Sequence, residues 1–295
     1  MSARILDGNE TARRLRAQMA QEVAQLAARG VTPGLGFVLV GENPASQAYI
    51  RMKKKACAEV GILSHNYELP AGTTQAGLLQ LIAQLNADPA MDGYIVQLPL
   101  PKHIDETTII AAIDPRKDVD CFHPVNVGKL CIGDTDGFFP CTPYGVVVLL
   151  QENGIDVAGA HVVIMGRSNI VGKPLANLLV QKRAGANATV TLCHTGTRDL
   201  AQYTRQADIV VAAIGRPNTL TAAMVRPGAV VVDVGINRVD DPGAKAGYRL
   251  VGDVDFAGVS AVAGAITPVP GGIGPMTIAM LLRNAIRAAR CRGAA

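Results

Sequence analysis

His161-Val162-Val163-Ile164-Met165-Gly166-Arg167-Ser168-Asn169-Ile170-Val171-Gly172-Lys173-Pro174 is the stretch whose reading decides the fold. A short apolar run breaks at a glycine, turns through polar residues, and resumes at a second glycine with a helical pattern. This is the order strand, glycine turn, helix start. The free amides and the dipole at such a helix N-terminus suit a pyrophosphate. Gly166 gives the turn conformational freedom and Gly172 permits close approach. Ser168 stands where the usual second glycine of a dinucleotide motif would be. The next apolar run ends Cys193-His194-Thr195, with no Asp or Glu for a ribose hydroxyl. Arg167 and the Thr195 hydroxyl then favour the 2′-phosphate of NADP over NAD. Asp233-Val234-Gly235-Ile236-Asn237-Arg238 closes a later strand, where the backbone of Gly235 and Ile236 is expected to meet the nicotinamide side.

Outward from that motif, strands and helices alternate. Toward the N-terminus, Ala12, Leu15, Met19, Val23 and Leu26 recur at helical spacing, and Gly30 closes the run. Leu35 to Val40 reads as a buried strand. Ser46 is expected to cap a helix that runs to about Glu59 and stops at Gly61. Leu63 to Leu69 is a strand, Thr74 to Asn86 a helix and Tyr94 to Leu98 a strand. From Pro99 to Pro143 the chain is rich in Pro, Asp and Gly and reads as a long functional loop with one short helix near Glu106 to Ile113. Tyr144 to Gln151 is a bridging helix. On the C-terminal side, Gly172 to Gln181 is a helix, Ala188 to His194, Ala207 to Ile214 and Ala229 to Val234 are strands, and Pro275 to Arg290 is a closing helix. The alternation implies right-handed βαβ units on parallel sheets. The expected fold class is α/β in two lobes with a cleft between them.

Composition narrows the functional classes. The chain has 295 residues, 49% hydrophobic and 18% charged, which suits two packed domains and excludes a disordered protein. A net charge of +4 without a basic run, and few aromatics, argues against nucleic-acid binding. The six cysteines, Cys57, Cys121, Cys131, Cys141, Cys193 and Cys291, show no metal spacing and read as reduced thiols in a cytoplasmic protein without a metal. No apolar run is long enough for a signal peptide or a membrane span.

The chemistry-bearing residues lie mostly in the N-terminal half. Tyr49 and Lys53 are four residues apart, on one face of their helix. Burial and the neighbouring Lys54 and Lys55 are expected to favour neutral Lys53, which can then act as a base. The short-chain dehydrogenases also carry a Tyr-x-x-x-Lys, but after the nucleotide strand. Here it comes well before. In Val96-Gln97-Leu98-Pro99 a polar Gln97 ends an apolar strand, where parallel-sheet sites form. Asp114, Asp118 and Asp120 share one irregular segment. Turn chemistry is the plain reading of such a cluster, and a carboxylate facing a guanidine-like ring edge is the functional one.

The motifs Y-x-x-x-K, V-Q-L-P-L-P, K-D-V-D, G-R-S-N-I-V-G-K-P and P-G-G-I-G-P-M-T occur in that order, and over nearly its whole length the chain resembles the bifunctional methylenetetrahydrofolate dehydrogenase/cyclohydrolase family. The resemblance implies oxidation of 5,10-methylenetetrahydrofolate with NADP and hydrolysis of the methenyl product in the same active site, within the one-carbon metabolism that serves purine biosynthesis. It makes Lys53 the catalytic lysine of the hydrolytic step, Tyr49 the residue that orients folate, Gln97 the partner of Lys53, and Asp120 the grip on the pterin edge. Val96, Leu98, Pro270, Gly271, Gly272, Gly274, Pro275, Met276 and Thr277 would line the folate site. Gly166, Arg167, Ser168, Gly172, Thr195 and Ile236 would contact NADP. It implies homodimers that pair through the cofactor domain. Residues 1–140, completed by helix 275–295, would form the folate-binding domain and 141–274 the NADP-binding domain. Two departures stand out. Cys121 replaces the family's usual glycine, and its Cβ is expected to disfavour positive φ and shift Asp120. Thr195 replaces a common serine and keeps the hydroxyl.

Three other readings compete. A dehydrogenase without hydrolysis is disfavoured by the presence of both Lys53 and Gln97. A non-catalytic NADP sensor has no chemical need for the set Tyr49, Lys53, Gln97 and Asp120. A Schiff-base lysine enzyme leaves the nucleotide motif without a purpose.

Overall fold

The computed structural model describes residues 2–244 and 247–292. The last three residues, which the sequence reading placed in the closing helix, lie outside the described residues, as does Met1. In chain order the elements are β1 (Arg4–Ile5), α1 (Gly8–Ala27), β2 (Gly34–Val40), α2 (Pro44–Val60), β3 (Leu63–Leu69), α3 (Gln75–Ala87), β4 (Gly93–Val96), α4 (Glu106–Ala112), α5 (Pro124–Ile132) and α6 (Cys141–Glu152). They continue as β5 (His161–Met165), α7 (Gly172–Leu179), β6 (Thr189–Cys193), α8 (Leu200–Thr204), β7 (Ile209–Ala212), β8 (Val230–Asp233), β9 (Asn237–Asp240), β10 (Tyr248–Val251), α9 (Phe256–Ser260), β11 (Ala265–Ile266) and α10 (Ile273–Arg292). The chain forms two compact units, one from the start to Ala12 with Thr142–Thr277, the other Arg13–Cys141 with the chain from Ile278 on. The divisions fall inside α1, α6 and α10.

The Arg13–Cys141 unit holds a three-stranded parallel sheet in the order β3-β2-β4. β2 is buried along its length, as a central parallel strand covered on both faces should be. Val38, Val40, Leu78, Ile82, Tyr94 and Ile109 build the core between β2, β4, α3 and α4. The other unit holds a six-stranded parallel sheet in the order β1-β11-β8-β7-β5-β6, with a separate antiparallel hairpin of β9 and β10. Val163, Met165, Val210, Val231 and Ile266 are buried at its centre.

Several elements differ from the sequence reading. The cap of α2 is Asn43, whose Oδ1 accepts the Ala45 and Ser46 amides at 3.0 and 3.1 Å, with Pro44 in the first turn. Ser46 itself lies inside the helix and is buried. Its C-terminus is Gly61, at φ 83°, as expected. The long segment after Pro99 contains a second helix, α5, started by His123 and Pro124 and ended by Gly133 at φ 77°. The hairpin β9–β10, the helix α8 and the two-residue strands β1 and β11 were not anticipated. β1 pairs in parallel with β11, Arg4 with Ala265 and Ile5 with Ile266, so the first residues of the chain belong to the six-stranded sheet.

Candidate active site

Ser46, Ile50, Lys53, Cys57 and Val60 form the buried stripe of α2, so Lys53 occupies a position where helical periodicity expects an apolar residue. It is 4% exposed. Its Nζ donates to Gln97 Oε1 at 3.1 Å and lies 4.6 Å from the centre of the Tyr49 ring, one turn earlier. Gln97 in turn donates its Nε2 to the Leu98 carbonyl at 2.8 Å, which fixes the amide with its oxygen toward the lysine. Val96 is buried, and Gln97 and Leu98 are half-buried at the carboxyl end of β4. The Leu98–Pro99 peptide is cis.

Burial holds the Lys53 amine below the ordinary lysine range, and the acidic groups Asp120, Cys141 and Cys57 oppose that shift. Lys54 and Lys55, which the sequence reading counted among the causes, are not among them. Lys54 is half-buried and Lys55 exposed.

The three aspartates of the following segment part company. Asp114 clamps the Arg116 guanidinium at 2.6 Å. Asp118 is buried and accepts from the amides of Phe122 and His123 and from Asn126 Nδ2, at 3.1, 2.8 and 2.8 Å. Burial still raises its carboxyl to about 6. Both follow turn chemistry. Asp118 also bridges Tyr94 in parallel, and a Cβ on Gly93 would come within 2.2 Å of Val119, so this strand edge is open only because residue 93 is glycine. The bridge carries Asp120, two residues on, along the end of β4 beside Lys53. Burial pushes its carboxyl up, while Lys53 and a hydrogen bond from the Cys141 thiol draw it down.

Cys121 takes φ 61° with its side chain 2% exposed. The expectation that its Cβ keeps this residue out of positive φ is therefore corrected. The Cys121 thiol donates to the Phe138 carbonyl at 3.0 Å, inside the same buried layer. Two supporting residues were missed. The Cys141 thiol reaches the Val119 carbonyl at 3.4 Å as well as Asp120. Asn284, on α10, donates to the carbonyls of Val119 and Phe139 at 2.7 and 2.8 Å and so pins the segment that carries Asp120. The one visible signal for Asn284 was a polar residue in an otherwise apolar helix stripe.

In the other unit the turn after β5 is closed by glycines. Gly166 has φ 133°, and a Cβ on it would lie 2.1 Å from the Ala213 carbonyl after β7. A Cβ on Gly172 would lie 2.0 Å from the Gly166 carbonyl. Ser168 Oγ accepts the Val171 and Gly172 amides at 3.1 and 3.4 Å, at the entry to α7. Arg167 and Thr195 are exposed, and Ile236 is 59% exposed. The order β6-β5-β7 makes the ends of β5 and β7 a switch point, the usual place for a nucleotide in an open α/β sheet. The glycine cradle, the start of α7 and the exposed guanidinium fit a dinucleotide phosphate. In the same unit Val269–Pro270 is cis, Gly271 has φ 105° and its carbonyl accepts the Asn9 amide at 3.1 Å. A Cβ on Gly8 would strike the Gly272 carbonyl, so the start of α1 packs directly on this turn. The Thr277 hydroxyl is 3.0 Å from that of Thr142.

Two family models match the chain. Residues 6–120 match the tetrahydrofolate dehydrogenase/cyclohydrolase catalytic domain, and residues 140–292 match its NAD(P)-binding domain. The bifunctional protein FolD of Moorella thermoacetica is 57% identical over 290 residues, covering 98% of this chain and 100% of that protein. The protein of the same name from Chlorobium phaeobacteroides is 54% identical over 288 residues, covering 97% and 98%. Among solved structures, the bifunctional methylenetetrahydrofolate dehydrogenase/cyclohydrolase of Campylobacter jejuni is 48% identical with a TM-score of 0.93, covering 99% of this chain and 100% of that one. The Trypanosoma brucei enzyme, solved with NADP cofactor and an inhibitor, is 41% identical with a TM-score of 0.93, covering 99% and 98%.

Proposed function

The chain belongs to the tetrahydrofolate dehydrogenase/cyclohydrolase family, and from that premise we propose how its residues divide the work. The enzyme oxidises 5,10-methylenetetrahydrofolate to 5,10-methenyltetrahydrofolate with NADP and hydrolyses the product to 10-formyltetrahydrofolate. NADP, when bound, supplies the hydride acceptor. The nitrogens that flank the bridge carbon stabilise the developing cation, so the protein's part in that step is positioning rather than proton transfer. Hydrolysis is different, because the attacking water must lose a proton. Lys53 takes it. Burial lowers the pKa of its amine, and Gln97 fixes Nζ in place. Asp120 holds the pterin edge by paired hydrogen bonds, and Tyr49 orients the ring system. Val96, Leu98, Pro270, Gly271, Gly272 and Thr277 complete folate binding. Gly166, Arg167, Ser168, Gly172, Thr195 and Ile236 serve NADP, with Arg167 on the 2′-phosphate.

The observation that carries this reading is the hydrogen bond between buried Lys53 and half-buried Gln97, an amine where helical periodicity expects an apolar residue. Two assays on the purified chain test it. One follows nicotinamide absorbance with methylenetetrahydrofolate and NADP, the other the disappearance of added methenyltetrahydrofolate. Both activities are expected. NADP reduction without hydrolysis would remove the role given to Lys53.

The working unit is read as a homodimer that pairs through the cofactor domain, residues 141–274, with residues 1–140 and the closing helix as the folate-binding domain. The protein is placed in the cytoplasm, supplying one-carbon units for purine biosynthesis. Among the described residues no disulfide joins the cysteines, which supports a reducing compartment. Among the described residues no helix is long and apolar enough to cross a membrane.

A further inference from the structure

Asp253 is fully buried and lies just after the β9–β10 hairpin. Its Oδ2 accepts the amides of Ile214 and Gly215 at 2.6 and 2.8 Å, and its Oδ1 accepts Asn237 Nδ2 at 2.8 Å. Ile214 and Gly215 follow β7, and Asn237 opens β9 directly after Ile236. One carboxylate therefore joins the segments at the ends of two neighbouring strands. A second carboxylate holds the first. Asp233, at the end of β8 and 3% exposed, accepts the Asp253 and Gly235 amides on Oδ1 at 3.0 and 2.9 Å and the Val254 amide on Oδ2 at 2.9 Å. The backbone is shaped around these groups. A Cβ on Gly235 would lie 2.2 Å from Asp253 Oδ1, and one on Gly252 would lie 1.8 Å from Asp233 Oδ2. The turn after β7 is also the one whose Ala213 carbonyl closes on Gly166.

We propose that Asp253 is a positioning residue for the nicotinamide half of NADP, setting the backbone of Gly235–Ile236 against the turn after β7 from behind the cofactor surface. The inference rests on the reading that Gly166, Arg167 and Ile236 serve the cofactor. Its chemistry asks for an acceptor without a donor, because each hydrogen bond to the Asp253 carboxylate comes from an N–H. Asparagine has nearly the same shape but brings an NH2 that must face either the two backbone amides or Asn237 Nδ2, donor against donor.

The test compares Asp253→Asn with Arg167→Ala in the full chain. The measurements are NADP affinity by calorimetry, dehydrogenase KM for NADP and kcat, and hydrolysis of added methenyltetrahydrofolate. In Asp253→Asn, NADP affinity should fall about tenfold or more, KM should rise, and hydrolysis should stay within about twofold of the parent, the scatter allowed for a site left intact. Unchanged NADP affinity in Asp253→Asn, beside a clear loss in Arg167→Ala, overturns the positioning role and leaves the cofactor reading standing. If neither variant weakens NADP, the cofactor reading has failed and the positioning role with it. A parallel loss of both activities in Asp253→Asn also overturns the proposal, since it marks general destabilisation. Should Asp253→Asn fail to fold, Asn237→Ala decides, because it cuts one link and leaves both carboxylates hydrogen-bonded. A severalfold loss of NADP affinity there supports the role, and none overturns it.

Discussion

Both parallel sheets hold a strand flanked by the next two strands of the chain, β3-β2-β4 in the smaller sheet and β6-β5-β7 within the larger. The two switch points are furnished in opposite ways. At the end of β4, Gln97 meets a buried lysine from the helix after β2, with Asp120 and two thiols around them. At the ends of β5 and β7 the chain places glycines, a helix start and main-chain amides, and its charged group, Arg167, stands out in solvent. On the proposed roles, the difference follows from the task. Moving a proton requires an ionisable side chain taken out of water so that its pKa shifts. Holding a pyrophosphate requires backbone amides with no Cβ in the way. One topology thus serves a reacting site by adding buried side chains and a carrier site by removing them.

If that division holds, single substitutions should separate the two reactions. The largest effect is expected from Lys53→Met, which keeps the stem and removes the amine. Hydrolysis should fall by about 10²–10⁴-fold, while oxidation survives in part and methenyltetrahydrofolate accumulates as a free product. Normal hydrolysis in this variant, read from added methenyltetrahydrofolate, would break the comparison at its first term. Alanine variants at Lys54 and Lys55, turned away around the helix, should behave nearly as the parent does.

Arg167→Ala tests the other switch point and should act less strongly. Loss of a charge-assisted phosphate contact weakens NADP by roughly ten- to a hundredfold and leaves NAD nearly untouched, so the ratio of kcat/KM for the two cofactors narrows. An equal loss for both would show that Arg167 does not read the 2′-phosphate.

Cys121→Gly should have the smallest effect. A left-handed conformation costs a non-glycine residue about 1–2 kcal/mol, and glycine removes that cost. It also removes the thiol hydrogen bond to Phe138, worth about 0.5–1.5 kcal/mol, and buried packing. The net change in Tm should be small, and folate KM should stay close to the parent value. A large rise in folate KM would show that the cysteine, rather than the backbone it adopts, sets the Asp120 segment.

Much of this was legible from residue order. The β5–Gly166–α7 passage, the strand β2 and the span of α10 follow from apolar runs punctuated by glycine, where local chemistry and tertiary packing agree. What stayed hidden has a common cause, which is that its determinants are long-range. β1 and β11 are two residues each and exist only because they pair with each other and with β8. The strands of the hairpin β9–β10 are four residues each, with no buried position and no apolar alternation. α5 has its own local signal, a His-Pro start and a Gly stop, obscured by the Pro-rich and Gly-rich sequence around it. The cap of α2 was misplaced because Asn43-Pro44 is as good a start as Ser46, and the structure uses the earlier one. In the site, Lys53 and Gln97 were readable from spacing and strand ends. Cys141 and Asn284 were not, since they support Asp120 across 21 and 164 positions of sequence.

The account stands most directly on Lys53 being a base made available by burial. The pH dependence of hydrolysis tests that. A lysine whose pKa is lowered in the folded protein binds fewer protons there than in the unfolded chain between its folded value and the ordinary 10.5. Its neutral form, and with it the hydrolytic rate, should therefore rise with pH along a limb centred below 10.5. Because Asp120 raises the lysine's pKa, Asp120→Asn should move that limb to lower pH. Oxidation of methylenetetrahydrofolate, measured at saturating substrate in the same buffers, should lack the limb. A rise centred at 10.5, a shift upward in Asp120→Asn, or the same limb in both reactions would contradict the assignment of Lys53 as the base.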